Sequence, residues 1–307
     1  MSTATEQQHH DHHHAEPGAQ NYSRAFALGI ALNLGYVAVE TAYGIAAHST
    51  ALVADAVHNL SDVAGIAMAW AAFRLARRAR DPRFTYGLRS ATILAALVNA
   101  MFLLVACGGI AWEAFQRFSL PPTVESKLVI IVALVGVGIN AITALLFFRG
   151  RDHDLNIRGA FVHMAADAAV SLAVVIGGLI MVRTGWFWLD PAVSLGIVFV
   201  IFWSTWGLLR ESALLSLHAV PKNIDSNDVS DYLRRQDSVT DVHDLHIWAL
   251  STTDVALTAH LVLSTGHLGD DWLDALSKDL THHYGIGHTT LQIETHDKYH
   301  SCALEAE

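Results

Sequence analysis

The chain has 307 residues, of which 52% are hydrophobic and 16% carry a formal charge, whereas soluble domains carry roughly a quarter charged residues. Its net charge is −10 with all 19 histidines neutral, which argues against a nucleic-acid partner because a phosphate backbone requires a basic surface. The two cysteines imply no disulfide framework. Composition therefore indicates a membrane protein with a soluble appendage and a preference for cationic ligands.

The first 21 residues form a polar, low-complexity segment with five closely spaced histidines: His9, His10, His12, His13 and His14. We interpret it as a disordered cytoplasmic tail that captures metal ions or is simply solvated, since its composition cannot form a packed core. An expression tag is the alternative, although Asp11 interrupts the run. No secretory signal is expected, because the start is polar and no cleavage site follows the first apolar run.

Six apolar stretches are long enough to cross a membrane as helices, which takes about 20 residues. They are 25–47, 51–73, 90–113, 127–148, 157–182 and 186–209. The sequence therefore predicts an all-α six-helix transmembrane domain over residues 22–218. The second and fifth spans are the least certain by hydropathy, because each contains a histidine together with aspartate, two in the second and one in the fifth.

Arginine and lysine are unevenly distributed between the predicted connections. The second-to-third connection has six and the fourth-to-fifth has three, whereas the odd-numbered connections together have three. Positively charged loops stay in the cytoplasm. The even-numbered connections and both chain termini are therefore predicted to be cytoplasmic.

The segment 219–307 has the composition and periodicity of a small soluble domain. Helical patterns cover Asp225–Arg235, capped by Asp225 or Ser226, and Leu268–Tyr284. Alternating patterns, typical of strands, cover Val239–Leu250, Asp254–Leu263 and His288–Thr295. The order α-β-β-α-β predicts a cytoplasmic α+β domain with helices on one face of a sheet, similar to ferredoxin-like heavy-metal-binding domains.

Two matched polar pairs interrupt the apolar spans: His58-x-x-x-Asp62 in the second and His163-x-x-x-Asp167 in the fifth. A spacing of four places each pair on one helix face, and ionisable residues in a bilayer are costly unless they face a partner or an aqueous cavity. Two imidazoles and two carboxylates supply the four ligands of a tetrahedral Zn²⁺ site, and imidazole favours Zn, Co, Ni or Cu over Mg and Ca. The alternative is that each pair makes an interhelical hydrogen bond.

Other polar residues also lie within the predicted spans. Asp55, one turn before His58, could support a ligand from behind or line the ion path. Glu40 lies deep enough to be a candidate for a proton or ion path. Glu113 and Asp190 lie near span ends and are interpreted as interfacial.

Taken together, these features resemble the cation diffusion facilitator family of zinc transporters over roughly residues 22–297. Besides the paired motif, the resemblance is carried by Ser49-Thr50-Ala51-Leu52 before Ala54-Asp55-Ala56, by Tyr86-Gly87-Leu88-Arg89, and by Leu189-Asp190-Pro191. It implies a homodimer in a bacterial inner membrane that exports cytoplasmic metal in exchange for protons and dimerises through its tail. Histidine at the first position of both motifs is typical of zinc-selective members.

The resemblance also suggests a second metal site in the cytoplasmic tail. His243 and His260 fall on neighbouring predicted strands, Glu294 and His296 close the last strand, and Cys302 could add a further ligand. Surface histidines of a His-rich chain are the alternative. A site that some members carry between the second and third spans is expected to be absent, because residues 80–87 contain no histidine.

The function predicted from the sequence is therefore a zinc transporter driven by the proton gradient, and not an enzyme. The sequence has no phosphate-binding loop, so transport should need no nucleotide. A membrane metalloenzyme would need an open coordination position for water, which four protein ligands do not leave. A metal sensor that signals through the tail would not need six spans.

Overall fold

The computed structural model of the protein describes residues 19–78, 80–119, 122–148, 155–264, 266 and 268–295. Six long helices come first, and each predicted span falls on one of them. They are α1 (Ala19–Ala46), α2 (Thr50–Ala76), α3 (Ala91–Ser119), α4 (Ser126–Phe148), α5 (Leu155–Thr184) and α6 (Leu189–Ser216). The histidine-rich segment 1–18 lies outside the described residues.

Four of the described helical segments are long and apolar enough to cross a membrane. They are Ala91–Ser119, Ser126–Leu146, Phe161–Thr184 and Leu189–Ser216. The fold therefore contains a helical transmembrane domain. α1 and α2 are of comparable length, but that they also cross the membrane stays a prediction, as does the division of the chain at residues 21 and 218.

The described chain divides into two compact units. The first consists of Met1–Val63 with Ile110–Ile197, and the second of Ala64–Gly109 with Val198–Glu307. In the first unit, α4 packs along α5 and against α1. Gly136 on α4 allows this approach, because a Cβ atom there would lie only 2.6 Å from Cζ of Tyr36 on α1.

Two residues near span ends differ in their surroundings. Glu113 is exposed and forms an ion pair with Arg117. Asp190 lies at the start of α6 and only 1% of it is exposed, so it is buried within the protein, while its interfacial depth in the membrane stays a prediction. Its carboxylate accepts hydrogen bonds from the first turn of α2, a contact with no local sequence signal.

The second unit contains a small α+β fold built in the predicted order α-β-β-α-β. Its elements are α7 (Ser226–Arg234), β1 (Val239–Ala249), β2 (Val255–Leu263), α8 (Asp270–Tyr284) and β3 (Ile286–Thr295). Asp225, and not Ser226, caps α7, because its carboxylate accepts from the backbone N–H of Asn227 at 2.8 Å. β2 lies in the middle of the sheet, antiparallel to β1 and parallel to β3.

Alternation along β2 separates a buried face from a polar face. Leu257 and Leu261 are fully buried and belong to the same core as Leu233 of α7 and Leu280 of α8. His260 has the opposite parity and is partly exposed. The sheet therefore leaves a histidine-bearing face away from its hydrophobic core.

Candidate metal centres

The four residues of the paired motif come together between α2 and α5. His58 Nε2 lies 3.2 Å from Asp167 Oδ1 and 3.8 Å from Asp62 Oδ2. His163 Nε2 lies 3.3 Å from Asp62 Oδ2 and 3.7 Å from Asp167 Oδ2. Each imidazole thus faces both carboxylates, so imidazoles and carboxylates alternate around one small space.

Exposure decreases across this intramembrane cluster (His58, Asp62, His163 and Asp167). The side chain of His163 is 44% exposed, those of His58 and Asp62 are partly exposed, and that of Asp167 is 3% exposed. The cluster is therefore accessible beside His163 and closed behind Asp167. Such a gradient suits an ion that enters from one side and is held by the buried carboxylate.

The spacing of the cluster fits a tetrahedral metal. Zn–N and Zn–O bonds of about 2.0–2.1 Å place donor atoms roughly 3.4 Å apart at the corners of a tetrahedron. His58 Nε2 lies 3.2 Å from Asp167 Oδ1, and His163 Nε2 lies 3.3 Å from Asp62 Oδ2, both near that value. His58, Asp62 and Asp167 also offer donor atoms that all lie within 4.8 Å of one another. The cluster has two nitrogen and two oxygen donors, which is the chemistry that borderline cations such as Zn²⁺ prefer.

Interhelical hydrogen bonding explains only part of this arrangement. His58 Nε2 and Asp167 Oδ1 are within hydrogen-bond distance. Asp62 Oδ2, however, lies 3.3 Å from His163 Nε2 without the geometry of a hydrogen bond. A cation shared by the imidazoles and Asp62 would satisfy this oxygen better than hydrogen bonds alone.

Behind the cluster lies a second group of polar residues around Glu40. Glu40 is fully buried and accepts from Tyr36 Oη at 2.8 Å and from Asn59 Nδ2 at 3.1 Å. Tyr36 Oη also lies 3.2 Å from the backbone oxygen of Val132. The tyrosine has one proton for two acceptors, so a protonated Glu40 could donate to Tyr36 while Tyr36 donates to Val132.

Asp55 is fully buried on α2 and turns toward α5. Its Oδ2 accepts from Ser171 Oγ at 2.7 Å, while its Oδ1 has no hydrogen-bond partner among the described residues. His58 Nδ1 likewise has none, so Asp55 does not hold His58 by a hydrogen bond. Asn59, Tyr36 and Ser171 were not singled out in the sequence, because uncharged polar residues in apolar helices carry no specific signal.

The structure also brings together three of the predicted tail residues. His243 Nε2 lies 3.2 Å from Glu294 Oε2, and His260 Nδ1 lies 3.0 Å from Glu294 Oε1. His243 and His260 face each other across the β1–β2 ladder, and the three residues offer donor atoms within 4.8 Å of one another. His296 and Cys302 lie outside the described residues, so their part in this tail cluster stays a prediction.

A β-bulge brings an additional carboxylate to the tail cluster. The register shifts between His243 and His246, and Asp244 adopts a positive φ of 51°, which is uncommon outside glycine and asparagine or aspartate. Its Oδ2 lies 3.6 Å from His260 Nε2, and its Oδ1 lies 2.9 Å from His246 Nε2. Both ring nitrogens of His260 thus face carboxylates, as expected where one nitrogen ligates a metal and the other is oriented by an acid.

The charge state of Glu294 fits a role in this cluster. Burial raises its pKa, but hydrogen bonds from Gln292 and His243, together with the charges of His243 and His260, outweigh burial and hold the pKa below its ordinary value. The carboxylate is therefore ionised near neutral pH, which is the form that ligates metal.

Comparison with known proteins places this geometry in a family. Residues 26–215 match the cation efflux transmembrane domain, and residues 221–296 match the cytoplasmic domain of cation efflux proteins. The chain belongs to the cation efflux family. It is therefore a member of a group of membrane transporters of metal cations.

Relatives in this family cover nearly the whole chain. The metal cation efflux system protein CzcD of Cupriavidus metallidurans is 34% identical over 284 residues, which is 92% of this chain and 89% of that protein. The zinc transporter ZitB of Escherichia coli is 32% identical over 287 residues, 93% of this chain and 91% of that protein. A cadmium, cobalt and zinc/H(+)-K(+) antiporter of Bacillus subtilis is 30% identical over 298 residues, 95% of this chain and 94% of that protein.

Proposed function

We propose that the protein exports Zn²⁺ from the cytoplasm in exchange for protons, with His58, Asp62, His163 and Asp167 as ligands of the transported ion. The observation that carries this proposal is the alternation of two imidazoles and two carboxylates at separations of 3.2–3.8 Å. The shorter of these separations are close to the roughly 3.4 Å expected between the donors of a tetrahedral zinc site, which supports this ligand set. The position of the cluster between two helices of the cation efflux domain supports a transported ion over a structural one.

Zinc is favoured as the cargo by the donor set and by the relatives. Nitrogen donors disfavour Mg²⁺ and Ca²⁺, and histidine occupies the first position of both motifs. One relative is named as a zinc transporter, and another for cadmium, cobalt and zinc. Cobalt and cadmium are therefore the competitors against which zinc selectivity should be measured.

Proton exchange follows from the chemistry of the ligands. Imidazole binds metal only when neutral and carboxylate only when ionised, so metal binding displaces protons and protons displace metal. An ordinary histidine pKa near 6.5 places this competition close to physiological pH. A relative named as an H(+)-K(+) antiporter supports coupling to the proton gradient.

The second part of the proposal concerns the cytoplasmic side. The arginine-rich connections orient the helices so that the intramembrane cluster loads from the cytoplasm, in a multi-pass protein of a bacterial inner membrane. The tail dimerises the protein and holds a regulatory metal at His243, His260 and Glu294. When bound, that metal would bring the three strands of the tail together, since each ligand comes from a different strand.

The test is zinc flux in proteoliposomes that contain a pH-sensitive dye, measured at two external pH values. His58→Ala and Asp167→Ala should each reduce zinc-driven proton movement by more than about 100-fold, because losing a ligand exceeds the 10–100-fold effect of losing an outer partner. Thr143→Val is the matched control, since Thr143 is buried and its hydroxyl donates to the Ile139 carbonyl of its own helix. Normal flux in either ligand variant would show that the site is elsewhere.

A further inference from the structure

Asp190 makes an unusual contact for a carboxylate near a span end. It is the second residue of α6, and its Oδ2 accepts from the backbone N–H and from Oγ1 of Thr50, both at 2.7 Å. Its Oδ1 accepts from Ser49 Oγ and, at 3.4 Å, from the N–H of Ala51. Four donors at the start of α2 thus converge on one buried side chain from another helix.

This contact resolves a problem that every helix start presents. The first N–H groups of a helix have no partner within the helix, and the helix dipole makes that end attractive to negative charge. Local Ser, Thr or Asp side chains usually supply the acceptor. Here Ser49 Oγ accepts from the Leu52 N–H at 3.1 Å as a local cap, and Asp190 on α6 accepts from the N–H groups of Thr50 and Ala51. The first turn of α2 is therefore also fastened to α6.

The connection between α1 and α2 is held by two further contacts. The Glu125 N–H donates to the Ala47 carbonyl at 3.2 Å, and the Arg117 guanidinium donates to the His48 carbonyl. His48 itself has a positive φ of 54°, a conformation that persists only where the surroundings enforce it. The beginning of α2 is therefore fixed from several sides.

The position of the metal-binding part of α2 depends on the angle at which the helix leaves this fixed start. His58 follows Thr50 by eight residues, which is about 12 Å along a helix. His58 and Asp62 face Asp167 and His163 of α5 at 3.2 and 3.3 Å. With one end fixed, a tilt of about 10° over that length moves the ligands by about 2 Å, far beyond the ±0.2 Å tolerance of metal–ligand bonds.

We propose that Asp190 is a positioning residue for metal transport, which anchors the start of α2 to α6 and thereby sets the helix angle that places His58 and Asp62 opposite the α5 ligands. We call Ser49, Thr50, Ala51 and Asp190 the α2 anchor. The inference rests on the proposed transport function. The role of an anchor can be distinguished from other roles of the carboxylate, because an anchor can be replaced by any bond that holds the starts of α2 and α6 together.

The decisive experiment replaces the hydrogen bonds with a covalent bond. Ser49→Cys and Asp190→Cys are combined in a chain whose native cysteines are removed by Cys107→Ala and Cys302→Ala, and zinc flux is measured on the same protein after reduction and after oxidative or short-linker cross-linking. Flux in the reduced form should fall roughly 10–100-fold, as for loss of a residue that orients ligands. Cross-linking, verified by loss of free thiols, should restore it to near the level of the parent chain.

Each other outcome overturns the proposal. If cross-linking leaves flux low, the carboxylate does more than anchor. If the reduced form already transports zinc at the parental rate, the anchor is unnecessary. If neither oxidation nor the short linker forms a cross-link, the starts of α2 and α6 are not neighbours in the membrane.

A second measurement separates positioning from folding and from the transport proposal itself. Co²⁺ absorption is recorded for Asp190→Asn and for Ser126→Ala, a control that removes another buried hydroxyl, bonded to the Val124 carbonyl, from the same compact unit. We expect the Asp190→Asn spectrum to change in intensity and position, the Ser126→Ala spectrum to match the parent, and the cross-linked cysteine pair to restore the parental spectrum. An unchanged Asp190→Asn spectrum would contradict the anchor. If the spectrum does change in Asp190→Asn but the parent protein shows no zinc flux, only the transport proposal is refuted.

Discussion

Replacing Asp167 with asparagine distinguishes a metal site from a hydrogen-bonded pair of helices. Asn keeps the size of Asp167 and can donate its amide N–H to neutral His58 Nε2, where the carboxylate oxygen now lies 3.2 Å away. The interhelical hydrogen bond therefore survives the change. The substitution removes one of the two negative charges of the cluster. It also replaces one carboxylate oxygen, either the one facing His58 or the one facing His163, with an amide nitrogen.

The two interpretations predict effects of different size on different quantities. If the cluster is only hydrogen-bonded, the change should alter the free energy of unfolding by less than about 1 kcal/mol, the net value of one hydrogen bond, because that bond is kept. Zinc affinity should then be unaffected. If Asp167 is a ligand, zinc affinity should fall by at least about 100-fold, which is about 2.8 kcal/mol. Stability without metal should then change little.

The assay is calorimetric zinc titration of the purified protein in detergent, in a background that leaves only the intramembrane cluster. That background carries His243→Ala and His260→Ala, together with serine in place of the five histidines of the N-terminal segment. Thr143→Val in the same background reports the effect of removing a buried polar group away from the cluster. A zinc affinity for Asp167→Asn within about threefold of the background, less than 1 kcal/mol, would refute the ligand assignment.

Three further predictions concern the tail cluster and helix packing. The pKa of Glu294 is held below its ordinary value, so its ionised form stabilises the fold above about pH 4.3, and this contribution is lost as pH falls through the lowered pKa. Glu294→Gln cannot lose this contribution. On acidification it should therefore lose less hydrogen-exchange protection in β1 and β2 than the parent protein does. Asp244→Asn keeps a residue that tolerates positive φ. It should weaken zinc binding at the tail cluster about 10–100-fold in calorimetry, and an unchanged affinity would exclude Asp244 from the cluster. Gly136→Ala should destabilise the protein by about 1–3 kcal/mol in thermal unfolding. In a Tyr36→Ala background the same substitution should cost much less, because the side chain that the new methyl group meets is gone.

Local periodicity predicted the helices and strands and placed each histidine–aspartate pair on one helix face, whereas the tail residues were suggested by the family resemblance and did not include Asp244. The apolar spans, the helical spacing of His58 and Asp62, and the alternation that separates His260 from Leu261 are all readable within a few residues of chain. The contact between His58 and Asp167 cannot be predicted in this way, because these residues are 109 positions apart and meet through the packing of α2 against α5. The bulge at Asp244 cannot be predicted either, since an Asp in a strand pattern gives no sign that the register will shift beside it.

Hydrogen-bond donors distinguish the buried carboxylates in a way that residue type could not. Asp190 receives four donors and Glu40 receives two, so each is held in place by protein groups. Asp55 receives one donor, from Ser171, whereas Asp62 is partly exposed and its Oδ2 faces imidazole nitrogens of His163 and His58 at 3.3 and 3.8 Å. A carboxylate oxygen between two imidazoles is the arrangement that a shared cation would occupy. The same reasoning assigns Asp190 to anchoring, since four donors leave its oxygens little capacity to ligate an ion.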